Sequence, residues 1–433
     1  MNIFVGVIVG LIILMILVVA HEFGHFLAAR RNGVNVLEFG IGFPPRAIAW
    51  IKDPKTGKWR RLPRSEWSKD RMTKVVYSKG EKGLAQKGMI FSLNFLPIGG
   101  FCQMDGETAT DTRKGTFGKA SFWAKTKILF AGVAMNWLVA FIILTVLAWT
   151  GMPDFLNNQF TLPVDTRVEA SKVELLKVLE DSPAGKAGMK QNDFIIKVGG
   201  EDIFRTGDII KYNEAHTGEE VTYTVLRNVS VCPEGMDECE DSQKVSKEET
   251  LELTAKLNNR GSNYLLGVAL GGTQSLSYST WSAPIVGAGL TLQMTGETFA
   301  GVGRLVWNLI SGVGSQFSFD GNVRESGREA ISEVGDSVSG PVGIIGVLFP
   351  TFTAAGPSNL AFLTALISIS LACMNVLPIP ALDGGRWLLI AIYKIRRKTL
   401  TKEVEEKIVA RAFMVLLAIL FIVTILDIVR LAR

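Results

Sequence analysis

Residues 3–25 read IFVGVIVGLIILMILVVAHEFGH, and this stretch decides the fold. Ile3 to Ala20 carries no charge, and with the apolar residues that follow His25 it is long enough for a membrane-spanning helix, which needs roughly 20 apolar residues. Into this run the sequence places His21, Glu22 and His25. Ionisable groups at membrane depth cost on the order of 2.5–3.5 kcal/mol each for the charged types, so a use for them is expected. His21 and His25 are four apart and share one helix face. With Glu22 between them they form HExxH, the pattern in which two imidazoles bind zinc and the carboxylate handles the proton of the attacking water. The protein has only three histidines, and two are here.

Composition sets the frame around this stretch. The chain has 433 residues, 48% of them hydrophobic, a mean hydropathy of +0.27 and a net charge of +5. That profile predicts several membrane spans together with a water-facing part. The start lacks a basic region before the apolar run and a small-residue cleavage site, so it reads as a retained span, not a signal peptide. The four cysteines, Cys102, Cys232, Cys239 and Cys373, form no CxxC pair, so a zinc ribbon is excluded.

Downstream, VLEFGIGFPPRAIAW (residues 36–50) alternates between Gly and Pro interruptions and predicts short strands or a hairpin. Residues 52–87 hold twelve Lys or Arg against four acids, which the positive-inside rule places in the cytoplasm. No aromatic-interleaved nucleic-acid pattern accompanies this charge. MIFSLNFLPIGGFCQM (residues 89–104) is apolar but broken by Pro97, Gly99 and Gly100. Extended backbone at membrane depth is tolerated only inside protein or along a cavity, so a re-entrant β-hairpin beside the first helix is expected. A second span is predicted over about 128–149, with Ala131-Gly132 permitting close helix approach and Asn136 inside it.

From Gly151 to about Leu257 the chain turns polar, with short alternating runs such as Val221-Thr222-Tyr223-Thr224-Val225 that read as strands. The order of a strand, Asp181-Ser182-Pro183-Ala184, Ala187-Gly188-Met189, Asp193, a strand and Gly199-Gly200 resembles a PDZ domain, which binds extended segments at a sheet edge. The insertion 228–247 carries Cys232 and Cys239, which can pair as a disulfide if the segment is extracytoplasmic. Pro284 to Ile310 reads as one or two amphipathic helices lying on the membrane. A third span is predicted over about 360–376, a basic cytoplasmic loop over 386–407, and a last span over about 412–428. Four spans with two basic cytoplasmic loops put both termini and the PDZ-like segment outside.

A catalytic zinc keeps three protein ligands and an open position, so HExxH lacks one. Cys102 and Cys373 have no pattern to recommend them. Asp383, in the break NVLPIPALDGG at the end of the third span, is a candidate; an ordinary turn aspartate capping a helix is the equal alternative. The residues alone also leave room for a membrane scaffold that recruits partners through its PDZ-like segment, or a metal transporter.

HEFGH in the first span, the NxxPxPxLDGG run (375–385), Ser339-Gly340-Pro341-Val342-Gly343-Ile344 and a PDZ-like insert between spans two and three together resemble the site-2 protease family of intramembrane zinc metalloproteases, in its bacterial RseP-type branch. The resemblance covers nearly the whole chain. It implies a polytopic α-helical membrane protein of about four transmembrane helices, with a membrane-embedded β-hairpin region and an inserted extracytoplasmic PDZ-like α+β domain. The segments are 1–150 and 358–433 for the protease core, 165–257 for the PDZ-like domain and 280–312 for interfacial helices. It implies Zn2+ held by His21, His25 and Asp383, Glu22 as catalytic acid/base, and Asn375 as a substrate-binding or transition-state-stabilising group. It further implies a location in the bacterial inner membrane. The substrates it implies are single-span membrane proteins, such as anti-sigma factors or remnant signal peptides, trimmed beforehand by another protease. Some relatives carry two PDZ domains where this chain shows one, and the span-two motif often written Gly-Pro-x-x-Asn is Gly132-Val133-Ala134-Met135-Asn136 here.

Overall fold

A computed structural model describes residues 3–52, 56–62, 89–107, 113–156, 158–169, 173–203, 206–231, 245–259, 264–272, 276–316, 324–328 and 340–431. In chain order the elements are α1 (Ile3–Arg31), β1 (Val36–Lys52), β2 (Trp59–Arg61), β3 (Ile90–Met104) and α2 (Phe122–Thr150), followed by β4 (Met152–Pro153), β5 (Arg167–Glu169), β6 (Val173–Val178), α3 (Pro183–Lys186), β7 (Phe194–Val198), β8 (Glu201–Asp202), α4 (Thr206–Ala215), β9 (Glu220–Val231), β10 (Val245–Lys256), β11 (Val268–Gly272) and β12 (Leu276–Tyr278). The chain ends with α5 (Ala283–Ser315), α6 (Pro341–Ala354, with a π-helical turn at Ile344–Leu348), α7 (Pro357–Val376), α8 (Asp383–Ile395) and α9 (Lys402–Leu431). It divides into two compact units, residues 1–146 with 287–433, and residues 147–286.

Among the described residues, four helices are long and apolar enough to cross a membrane: α1, α2, α7 and α9. At about 1.5 Å per residue, the 29 residues of α1 reach well beyond a hydrocarbon core of roughly 30 Å. Arg30 and Arg31 close its last turn, where cations suit the helix dipole. The buried positions Gly6, Gly10, Leu17, His21, Gly24 and His25 form one stripe on an otherwise uniformly apolar helix. Gly6 and Gly10 admit α6: a Cβ at Gly6 would lie 2.4 Å from Pro350 Cα, and one at Gly10 2.6 Å from the Phe349 ring. A Cβ at Gly24 would lie 2.3 Å from the Ala131 carbonyl oxygen, so this glycine lets α2 press against the turn that carries the histidines.

The segments 36–52 and 89–104 each fold back, as expected, but they interlock instead of forming separate hairpins. Phe39 pairs with both Cys102 and Phe91, while Ser92 pairs with both Gly40 and Ala49. The strand order is therefore 100–104, 36–41, 90–94, 46–52, with β2 completing the edge against Trp50–Lys52. Gly42, at φ +78°, makes the reversal in β1. The interlocked centre holds a buried ion pair: Arg46 donates to both carboxylate oxygens of Glu38, and Ser92 Oγ donates to Glu38 Oε1 at 2.6 Å. The strand 100–104 lies along α1, where Val18 and Val19 face Gly99 and Gly100. Most of the basic stretch 52–87 lies outside the described residues, as does Ser339.

The segment expected as one or two amphipathic helices is a single helix, α5, and it is not among the span candidates. Helix α6 begins against α9: Asp427 accepts from the backbone N–H of Gly340 at 3.1 Å and Gly343 at 2.8 Å. A side chain from a candidate span thus supplies the cap that α6 lacks in its own sequence.

Residues 147–286 hold a six-stranded sheet in the order β10-β9-β7-β6-β11, with β8 on β7, and a small sheet β4-β12-β5. The sheet extends past residue 257 because β11 pairs with β6, and Leu266 joins the core of Val173, Leu175, Ile195, Val198, Ile209, Val221, Tyr223 and Val225. Ser182 caps the short α3 by accepting from Gly185 N–H at 3.2 Å. Asp193 is buried, accepts from Lys190 N–H, and takes a two-pronged pair from Arg227 at 2.7 Å on each oxygen. Asp165 accepts from the backbone N–H and hydroxyl of both Thr280 and Ser282, just ahead of α5. Cys232 and Cys239 fall in the β9–β10 connection, outside the described residues.

Candidate metal centre

Helix geometry brings His21 and His25 together, with Nε2 atoms 3.1 Å apart. Helix α8 supplies the third group. Its first residue is Asp383, introduced by Leu382 in extended conformation. The two glycines that follow have a steric reason: a Cβ at Gly384 would lie 2.0 Å from the Val376 carbonyl oxygen, and one at Gly385 2.0 Å from the Ile379 carbonyl. Only glycine lets the helix start fold down onto the Leu377–Leu382 turn, and that closeness aims Asp383 at α1. Asp383 Oδ2 sits 3.1 Å from His21 Nε2 and 3.3 Å from His25 Nε2, and has no hydrogen-bond partner although it is buried.

Three donor atoms thus form a triangle with edges of 3.1–3.3 Å. Tetrahedral zinc with bonds of about 2.0–2.1 Å separates its ligands by about 3.3–3.4 Å. The two nitrogens and one oxygen fit that ion in kind and in spacing. A cradle lies over them: a Cβ at Gly132 of α2 would come within 2.6 Å of His25 Nε2 and 2.7 Å of His21 Nε2. Glycine at 132 keeps this space open. His25 Nδ1–H donates to the Ile128 carbonyl at 2.8 Å, which leaves Nε2 bare for a metal.

Glu22 lies in the same cluster, with its carboxylate within 4.8 Å of donor atoms of both histidines. Asp383 is closer to both imidazoles, so Glu22 stands beside the triangle instead of completing it. Its carboxylate lies near Cys102, on the strand that lines α1. Asn375 stands in the last turn of α7, half-buried, and makes no side-chain hydrogen bond among the described residues. The structure therefore gathers His21, Glu22, His25 and Asp383, and gives Asn375 no side-chain hydrogen bond to them among the described residues. The free thiols of Cys102 and Cys373 are buried and take no place in the triangle.

Three participants escape a reading of the sequence. Ile128 acts through its backbone carbonyl, which no side chain announces. Gly132 reads as a helix-packing glycine, and its second task of clearing the imidazoles depends on where α1 lies. Asn136, whose amide nitrogen is 3.4 Å from His21 Nδ1, is signalled as a polar residue inside a span and as the end of the Gly132–Asn136 motif, but neither signal gives it a task.

Comparison with known proteins agrees with this chemistry. The chain is 26% identical to the regulator of sigma-W protease RasP of Bacillus subtilis (strain 168), covering 99% of both chains. It is 25% identical to the zinc metalloprotease RasP of Bacillus licheniformis, covering 98% of this chain and 99% of the relative. Residues 9–60 and 79–420 match the profile of Peptidase family M50. That match takes in most of the chain, the HExxH helix and the LDGG turn, and the chain belongs to Peptidase family M50, the site-2 protease family of zinc metalloproteases.

Proposed function

We propose that this zinc metalloprotease hydrolyses peptide bonds within the membrane-spanning segments of single-span proteins, with His21, His25 and Asp383 as its metal ligands. The observation that carries this reading is the position of the donor triangle. Two of its corners belong to α1, a helix long and apolar enough to cross a membrane. A site built on such a helix meets substrates inside the bilayer.

Zinc, when bound, supplies Lewis acidity that acidifies water and polarises a carbonyl. Glu22 takes a proton from the attacking water and delivers it to the leaving amine. Asn375 donates a hydrogen bond to charge developing on the scissile carbonyl oxygen. A helical substrate hides its carbonyls in i to i−4 bonds, so it unwinds before cleavage. The strand 100–104 receives the freed segment, since it pairs with 36–41 on one side and runs beside Glu22 on the other. Exposed Phe43, Leu93, Phe95 and Leu96 at the strand reversals support a membrane-embedded position for this sheet.

The PDZ-like segment 165–257, with β11 added to its sheet, serves outside the cytoplasm. The edge strand β11, which among the described residues pairs with β6 alone, offers a place for strand addition. It admits substrates already trimmed by another protease and excludes those with bulky outer domains. The protein resides in a bacterial inner membrane, and the name of the Bacillus subtilis relative, a regulator of sigma-W, favours membrane-anchored anti-sigma factors as substrates.

The test uses purified wild type and Glu22→Gln, with bound zinc and cleavage of a single-span reporter both measured. The variant keeps its zinc and loses cleavage by at least about 100-fold, within the range of a positioned proton-transfer group. Cleavage that survives in the variant rules the mechanism out, and zinc flux across vesicles would favour a transporter. Replacing residues 173–272 by a short linker tests the filter: cleavage of substrates with intact outer domains rises. Unchanged discrimination between intact and trimmed substrates removes that role.

A further inference from the structure

Asn136 sits one turn beyond Gly132 on α2 and is 1% exposed. Its backbone carbonyl accepts from Ser368 Oγ of α7 at 2.8 Å. Its side chain faces the metal centre, with Nδ2 3.4 Å from His21 Nδ1 and Oδ1 buried without a partner. A buried acceptor left unpaired is unfavourable, because it has given up its water without gaining a donor. The arrangement is also mismatched to His21. An imidazole that offers Nε2 to a metal carries its proton on Nδ1, and that N–H needs an acceptor, not an amide donor.

One movement removes both faults. The two ends of a carboxamide have nearly the same outline, so half a turn about the terminal bond exchanges nitrogen and oxygen in the same space. Oδ1 then faces His21 Nδ1–H, and the unpaired acceptor acquires a donor. We propose that Asn136 is a positioning residue of the zinc centre, its amide oxygen accepting His21 Nδ1–H and holding His21 with Nε2 toward the metal. His25 has the equivalent support from the Ile128 carbonyl, so α2 orients both imidazoles, one through its backbone and one through a side chain. This inference rests on His21 being a ligand, as proposed above.

The experiment compares zinc retention of the purified full-length protein under chelator competition, together with the visible spectrum of its cobalt-substituted form. Asn136→Leu weakens zinc binding by about 10–100-fold, the usual effect of losing a group behind a metal-binding histidine. Asn136→Asp can only accept; it holds zinc within about threefold of wild type and keeps the cobalt spectrum. Ser368→Ala, which removes the bond to the Asn136 carbonyl but leaves the amide, also keeps zinc. The proposal is overturned if Asn136→Asp is as defective as Asn136→Leu, because an N–H or the packed shape then matters. It is overturned equally if Asn136→Leu retains zinc, or if Ser368→Ala loses zinc as Asn136→Leu does. If Asn136→Leu does not fold, the comparison of Asn136→Asp with wild type decides alone. His21→Ala separates the two levels. If it keeps zinc, the ligand assignment itself fails; if it loses zinc while both Asn136 variants keep it, only the positioning role fails.

Discussion

Single atoms decide the zinc centre. At Gly132 a methyl group would occupy the space between the two imidazoles, within 2.6 Å of His21 Cε1 and His25 Nε2. Gly132→Ala is therefore expected to lower zinc affinity by at least about tenfold while the protein still purifies as a folded species, as metal analysis against a thermal melt will show. A different single-residue effect belongs to Asp165. Hydroxyls of Thr280 and Ser282, with their backbone N–H groups, hold its carboxyl well below the usual carboxylate range. A folded-state value lower than the unfolded one means the stabilisation is present above the ordinary carboxylate pKa and is lost as pH falls below it. Asp165→Asn should flatten the acid limb of the melting-temperature profile below about pH 4, a window set by the ordinary aspartate value, and leave the slope near neutrality unchanged. An unchanged acid limb would rule this contribution out.

Elements meet here through polar side chains that several strands share. Glu38 and Arg46 lie on the two arms of β1, and Ser92 reaches the same carboxylate from β3. The pair locks the interlocked hairpins at their centre. Removing one partner leaves a buried charge uncompensated, so Glu38→Ala should destabilise the protein by about 3–5 kcal/mol. Replacing both, as Glu38→Leu with Arg46→Met, should cost less than the single change; denaturant titration of the two variants makes the comparison. The same reasoning explains Asp427, a carboxylate in the candidate span α9 whose use is the N-terminus of α6.

At the scale of the whole molecule, every residue of the metal centre belongs to the unit formed by residues 1–146 and 287–433. The remaining unit has its own core and its own buried ion pair, Asp193 with Arg227. Asp193→Ala should unfold that unit, at a cost of about 3–5 kcal/mol, without releasing zinc. Limited proteolysis confined to residues 147–286, with metal content unchanged, is the expected result; loss of zinc would show that the units depend on one another. Local spacing along the chain accounts for the part of this structure that could be read in advance. Four residues on a helix bring His21 and His25 to one face whatever surrounds them, long apolar runs require spanning helices, and alternation in Val221–Val225 requires a strand. Gly99 and Gly100 marked a break in the same way. The interlocking of 36–52 with 89–104 was not legible, because each segment alternates well enough to pair with itself and only the shared core around Glu38 selects the exchange. The closeness of Asp383 to the imidazoles was equally illegible, because it depends on Gly384 and Gly385 folding down on the 376–380 backbone. The tertiary structure decided what depends on distance in space: the third donor arrives from the far end of the chain, Gly132 clears room for it, and Ile128 and Asn136 turn the imidazoles. Those contacts join segments more than a hundred residues apart, and no periodicity along a chain encodes a meeting that only packing brings about.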